Sequence, residues 1–365
     1  MPATAIHQTS SKHMDILSRL LLSPLDIDAV PEFEALKSIK KEEFDEFVAL
    51  AHSNHVIVRG LEIFQKIMVN AQDSVRAEWA AIETTAECAR IDKAVGSLRL
   101  ITNAFDQEGF DLTVMKSLDH WPDLGSDLDL YTNAPAQAVC EVMQRRFGAT
   151  IDVRSWGDRL AGKWNFLIPG LAESVEVHTG RLGQTGEQLA LASWIPERSR
   201  LIEVGPQSFR VPSASDRLMI STLQRMYRHF YFRLCDIVDS ATLVNSGAVD
   251  FADLQASAQT AGIWEGVATY MVIVSDYVKR YSGKGLALPK AVTDAARFGG
   301  DLVYFGKKFL RVPIMPQSAS LYRSQFAGLL RRRELQSSAR LGLLPWLATA
   351  AAVSHKITGS DKGIW

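Results

Sequence analysis

Hydrophobic patterning divides the chain into three regimes. From His13 to about Gly109, apolar residues recur at three- and four-residue spacing, as in Phe44, Phe47, Val48, Leu50 and Ala51, which predicts helices with one buried face. Residues 61–105 hold no proline and only Gly96 as a breaker, so long packed helices are expected with poorly marked turns. Residues 1–12 are polar, lack an apolar signal core and are expected to be disordered.

The pattern changes at Phe110. Leu112-Thr113-Val114-Met115 is a short β-prone run, and Asp127-Leu128-Asp129-Leu130-Tyr131 alternates with period two. Residues 134–147 read as a helix closed by Gly148. Strand-like runs follow at 150–154, 164–168 and 174–178, then a hairpin over 200–211 turning at Gly205-Pro206. After Pro212 the helical period returns. Ser213 or Ser215 caps a helix running through Leu218, Leu223, Met226, Phe230 and Leu234, with further helices at 251–261 and 264–281. The expected organisation is α+β: a helical region (13–109), a catalytic core of strands with one helix (110–212), a C-terminal helical domain (213–300) and a tail (301–365).

Composition changes little: 47% hydrophobic and 22% charged residues describe an ordinary globular chain. Cys88, Cys140 and Cys235 are too dispersed for a disulfide framework, which fits a reducing cytoplasm. Charge is less even. From Asp301 onward ten Lys/Arg stand against three Asp/Glu, whereas the preceding 300 residues hold 30 against 38. A basic tail on an acidic body suggests contact with phosphates, a membrane surface or an acidic partner. Arg331-Arg332-Arg333 precedes an apolar run at 341–353, too short to span a bilayer. That run either lies in a membrane interface or packs as a C-terminal helix on the body.

The chemistry-bearing residues lie in the middle regime. Residues i and i+2 of a strand share a face, so Asp127 and Asp129 project together. Two adjacent carboxylates repel unless a cation lies between them, and magnesium takes such oxygens together with substrate phosphates. Gly125-Ser126 just before them permits close backbone approach to a phosphate. Ser174-Val175-Glu176-Val177-His178 alternates likewise, so Glu176 and His178 share a face. If the strands are neighbours, three carboxylates converge, a set able to hold the two ions of phosphoryl-transfer chemistry. Otherwise the segment is an edge strand with a solvated Glu and His. No Walker loop, GxGxxG, HExxH or GxSxG pattern occurs.

Val114-Met115-Lys116, Gly125-Ser126-Asp127-Leu128-Asp129-Leu130 and Val175-Glu176-Val177-His178 together resemble the core of the bacterial uncharacterised nucleotidyltransferase family of the polymerase-beta-like superfamily. Residues 47–56 resemble the family's helical lead-in. Ser215-Asp216-Arg217-Leu218, Arg228-His229 and residues 234–239 resemble its C-terminal side. The resemblance spans roughly residues 15–285. It implies a mixed sheet flanked by helices, Asp127 and Asp129 binding magnesium and nucleotide phosphates, and Glu176 as third carboxylate, assisting deprotonation of an acceptor hydroxyl. Lys116 matches the family's Lys-Gly, but the glycine is Ser117 here.

The expected activity is transfer of a nucleoside monophosphate from a triphosphate to an acceptor hydroxyl, with pyrophosphate release. Asp127, Asp129 and Glu176 hold magnesium or manganese, and Lys116, Gly125, Ser126, Arg225 and His229 contact the nucleotide. Arg225, His229, Arg233 and Asp236 form one stripe on a helix, which lines the cleft or makes an interdomain salt-bridge seam; His229 also fits a satisfied buried histidine. His120 reads as structural or solvated in preference to a substrate contact. The acceptor is a small molecule, sugar or peptide; nucleic acid is not expected, because the body is acidic. The expected location is cytoplasmic, with peripheral membrane contact through the tail. Glycosyl transfer from a nucleotide sugar and a non-catalytic binding protein are the alternatives.

Overall fold

The computed structural model describes residues 3–23, 36–306, 308–347 and 349–350. Its architecture is α+β, with small sheets set among helices. Helices α1 (Ala3–Leu22), α2 (Lys41–Ser53), α3 (Ile57–Asn70) and α4 (Ser74–Gln107) come first. Helix α1 begins at Ala3, where the polar sequence suggested disorder. The apolar spacing of α2 buries Phe44, Phe47, Leu50 and Ala51, with Phe44 and Phe47 packed on Phe64 of α3 at ring separations of 5.3 and 6.0 Å. The turn into α4 uses neither glycine nor proline. Gln72 takes a positive φ of 57°, and the Asp73 carboxylate accepts from the Arg76 amide as N-cap.

The central sheet contains β1 (Thr113–Met115), β2 (Asp127–Thr132), β3 (Thr150–Ile151), β4 (Lys163–Leu167) and β5 (Ser174–Thr179) in the order β1-β2-β5-β4-β3. Strands β2 and β5 run parallel and the other pairs antiparallel. Helix α5 (Ala136–Phe147) ends at Gly148, whose φ of 59° suits a residue without Cβ. The run at 150–154 forms strand only to Ile151; Arg154 instead stacks over the Trp164 ring at 3.7 Å. The core also carries two unforeseen helices, α6 (Trp156–Ala161) and α7 (Leu189–Arg198), so it has three in place of one. The hairpin β6 (Arg200–Val204) and β7 (Gln207–Val211) is a separate two-stranded sheet.

Ser213 caps α8 (Ala214–Thr222) by accepting from the Asp216 amide. The expected continuous helix to Leu234 does not form. Residues Leu223–His229 widen into a π-helix, and Phe230 at φ 55° breaks it. Strand β8 (Tyr231–Phe232) follows, and a new helix, α9 (Leu234–Asn245), starts with Asp236 as its first-turn carboxylate. Helices α10 (Phe251–Ala261), α11 (Trp264–Ser282) and α12 (Lys290–Ala295) complete this region. The tail adds β9 (Tyr304–Gly306) and β10 (Phe309–Arg311), with β10 pairing between β8 and β9, then α13 (Ala319–Arg331) and α14 (Leu335–Gly342). Leu341 is buried, so the apolar run begins by packing on the body; residues 348 and 351–353 of that run lie outside the described residues. Among the described residues no helix is long and apolar enough to cross a membrane.

Candidate functional site

The β2–β5 register places Asp129 beside Glu176 and Tyr131 beside His178; β4 sets Lys163 opposite His178 and Asn165 opposite Glu176. Paired residues share a face, so this side of the sheet carries Asp127, Asp129, Glu176, His178 and Lys163. Leu128, Leu130, Val175 and Val177 fill the other side, all fully buried. Strand β5 is therefore central, not an edge, and Glu176 and His178 are only 7% and 6% exposed.

Ligand atoms of Asp129, Glu176 and His178 lie within 4.8 Å of one another. Asp127, half-buried at the mouth of β2, stands outside that set; its Oδ1 accepts from Ser126 Oγ at 2.9 Å. Two ammonium groups enter the cluster: Lys116 Nζ meets Asp129 Oδ1 at 2.6 Å, and Lys163 Nζ meets Glu176 Oε2 at 2.5 Å. His178 Nε2 bonds Glu176 Oε1 at 2.7 Å, while its buried Nδ1 has no hydrogen-bond partner among the described residues. Lys163 Nζ also lies 3.4 Å from Asp158 Oδ1, so the four carboxyl groups of Asp127, Asp129, Glu176 and Asp158 outnumber the two ammonium groups.

Electrostatics follow that imbalance. Burial, reinforced by the charges of Glu176 and Asp127, pushes the Asp129 carboxyl well above the usual range despite Lys116. Burial acts the same way on Glu176, but the bond from His178 and the charges of Lys116 and Lys163 outweigh it and hold that carboxyl well below the usual range. Burial lowers His178, only partly offset by Glu176, so its imidazole is neutral. Burial opposes the Lys116 charge too, but the three carboxylates raise its pKa. Among the described residues Asp129 Oδ1 accepts no aligned hydrogen bond. A buried carboxylate pair of hard oxygens with unspent negative charge fits a divalent cation such as magnesium.

Lys116 sits at φ 53°, ψ −49°, a strained conformation close to that of a γ-turn. Ser117 holds the kink: its hydroxyl accepts from the Asp129 amide at 2.8 Å and donates to the Asp127 carbonyl at 3.3 Å. The residue that replaces the expected glycine thus ties the turn to β2. Gly125 is buried, its carbonyl accepts from Arg90 Nη1 at 3.3 Å, and a Cβ there would meet His55 Cε1 at 3.1 Å. Gly125 therefore serves packing, while Ser126 is exposed beside Asp127.

The stripe separates. Arg225 is 1% exposed and pairs with Asp236 at 2.7 Å, the seam reading. Arg233 falls beyond the π-helix, at the N-cap of α9. His229 stays near the site. Burial and the charges of Arg228, Arg225, Lys116 and Arg233 lower its pKa to about 2. A histidine depressed in this way gives stability present above pH 6.5 and lost as pH falls, because the unfolded chain takes up the proton first. Between pH 7 and 5, wild type is expected to lose ~2 kcal/mol more than His229→Gln, read from urea titrations at each pH. Parallel losses would place His229 in an ordinary solvated setting.

His120 is structural: its Nδ1 contacts Asp239 Oδ2 at 2.5 Å, and Arg59 bridges Asp239 and Asp123 at 2.7 Å each. Asp119 pairs with Arg217 at 2.7 Å, so the loop 119–125 is anchored at several points. A cavity of about 60 Å³ adjoins the cluster, lined by Lys116, His178, Arg228, Gln325, Leu341 and Leu344 among others. The last three come from the tail. Lys163 was missed because only the β4–β5 register brings it to Glu176. No protein-family model, curated protein or solved structure matches the chain.

Proposed function

We propose that the chain is a metal-dependent nucleotidyltransferase of the polymerase-beta-like fold, moving a nucleoside monophosphate from a triphosphate to an acceptor hydroxyl. The observation that carries this reading is the in-register pairing of Asp129 with Glu176 across parallel strands, with Asp127 two residues before Asp129. Asp129 and Glu176, with Asp127 at the mouth of β2, would hold magnesium, which would supply charge neutralisation at the phosphates. Lys116 is positioned to exchange Asp129 for a phosphate oxygen when the donor binds. His178, neutral and oriented by Glu176, offers Nδ1 as acceptor for the proton of the attacking hydroxyl. The acceptor oxygen then bonds the α-phosphorus, the bond to the bridging oxygen breaks, and pyrophosphate leaves. The test is pyrophosphate release with magnesium, each triphosphate and candidate small-molecule, sugar or peptide acceptors. Release of nucleoside diphosphate from a nucleotide sugar would replace this reading with glycosyl transfer.

A nucleotide needs about 300 Å³ or more, which exceeds the cavity beside Lys116. In this reading the α13–α14 tail moves aside when the donor enters. Its latch is Arg340, which donates to the carbonyls of Leu160 and Thr185. Arg340→Ala is expected to lower the Michaelis constant for the triphosphate by up to about tenfold, the equivalent of one charge-assisted hydrogen bond. A raised Michaelis constant would make the tail a wall of the binding site.

A further inference from the structure

A second cluster lies where the N-terminal helices, the loop after β1 and helix α9 meet. Ligand atoms of His55, His120 and Cys235 fall within 4.8 Å of one another. His55 is in the α2–α3 turn, His120 ends the short helical turn Ser117–His120, and Cys235 is the second residue of α9. His120 Nε2 stands 3.8 Å from Cys235 Sγ. Zinc bonds of ~2.0 Å to nitrogen and ~2.3 Å to sulfur at a tetrahedral angle require a separation of about 3.5 Å. His55 is only 8% exposed, and among the described residues its Nδ1 has no hydrogen-bond partner. A buried imidazole nitrogen without a partner is costly unless something occupies it.

The surroundings hold these donors in place. Asp239 fixes the His120 ring through Nδ1 at 2.5 Å, which directs Nε2 toward Cys235. Arg59 in turn holds Asp239 and also donates to the His55 carbonyl at 3.3 Å. This is the carboxylate–histidine support that orients metal-ligating imidazoles. Asn54 fastens the α9 end beside His55: its Oδ1 accepts from the Leu234 amide at 3.0 Å and its carbonyl from the Cys235 amide at 3.2 Å. The Cys235–His120–Asp239 order also occurs in thiol nucleophile triads. Cys235, however, is 0% exposed, so no substrate reaches its sulfur.

We propose that His55, His120 and Cys235 bind a zinc-class divalent cation, separate from the carboxylate cluster, that clamps the N-terminal helices, the loop and α9 together. Two imidazoles and a thiolate suit a borderline-soft ion, whereas carboxylates suit a hard one. Binding releases the Cys235 thiol proton and the His120 Nε2 proton to solvent, and water takes the fourth position.

The test titrates cobalt(II), a spectroscopic stand-in for zinc, into full-length protein stripped with a chelator. The expected result is one equivalent that gives a thiolate-to-cobalt charge-transfer band and tetrahedral d–d bands, abolished by zinc. The bands persist in Cys88→Ser, Cys140→Ser and Asp129→Asn, and vanish in Cys235→Ser. Asp239→Asn weakens cobalt binding about 10–100-fold. The absence of a thiolate band in wild-type protein with native circular dichroism overturns the proposal without need of any variant. A band that survives Cys235→Ser, or that disappears in Cys88→Ser or Cys140→Ser, overturns it equally.

Discussion

Asp129→Asn is expected to cut magnesium-dependent pyrophosphate release by on the order of 10³-fold or more while leaving the protein folded. Asparagine keeps the shape of the side chain and the pairing of β2 with both neighbours, where Asp129 sits between Met115 and Glu176. It removes one of three carboxylate charges at the proposed cation position. Stability should change by no more than about 1 kcal/mol, because the substitution also relieves repulsion that already holds the Asp129 carboxyl abnormally high. Lys116 loses its 2.6 Å partner but keeps the attraction of Glu176 and Asp127. The two readouts must therefore diverge: turnover collapses, and the urea midpoint stays close to wild type. Turnover that survives the substitution would remove the carboxylates from the reaction.

The local part of this site was legible in the chain because strand alternation is a local rule. Asp127-Leu128-Asp129 and Glu176-Val177-His178 declare their shared faces by spacing alone. What joined them was not local. The parallel β2–β5 register that aligns Asp129 with Glu176, and the β4 register that delivers Lys163, depend on pairings between distant segments. The same reason hid the sheet formed by β8 with β9 and β10, whose strands are two or three residues long and separated by about seventy positions in the chain. Two breaks were hidden for another reason. Gln72 and Phe230 adopt positive φ without being glycine, so the chain carries no ordinary turn signal at either place. At Phe230 this cost the stripe its continuity: a four-residue spacing presumes an α-helix, whereas Leu223–His229 is a π-helix that stops before Arg233.

Arg225→Ala is expected to lower the unfolding free energy by about 3–5 kcal/mol, the cost of leaving a buried charge without its partner. Arg225 Nε lies 2.7 Å from Asp236 Oδ2, and both side chains are almost wholly buried. Burial opposes the Arg225 charge, but Asp236 and its neighbours raise the pKa further, so the guanidinium stays protonated. It also lies 5.5 Å from the Tyr231 ring centre, so alanine forfeits that contact and opens space beside β8. Asp236 would retain only polar contacts such as the Arg233 amide at 2.6 Å, which caps α9 but carries no full charge. Arg225→Met combined with Asp236→Asn should recover part of the loss, since it removes the stranded carboxylate and refills the volume. The coupling in that double-mutant cycle measures the pair. A large urea-midpoint shift, with the triphosphate Michaelis constant unchanged in the surviving folded protein, makes Arg225 the weld between the π-helix and α9. An unaltered unfolding transition with a raised Michaelis constant would return it to the nucleotide cleft.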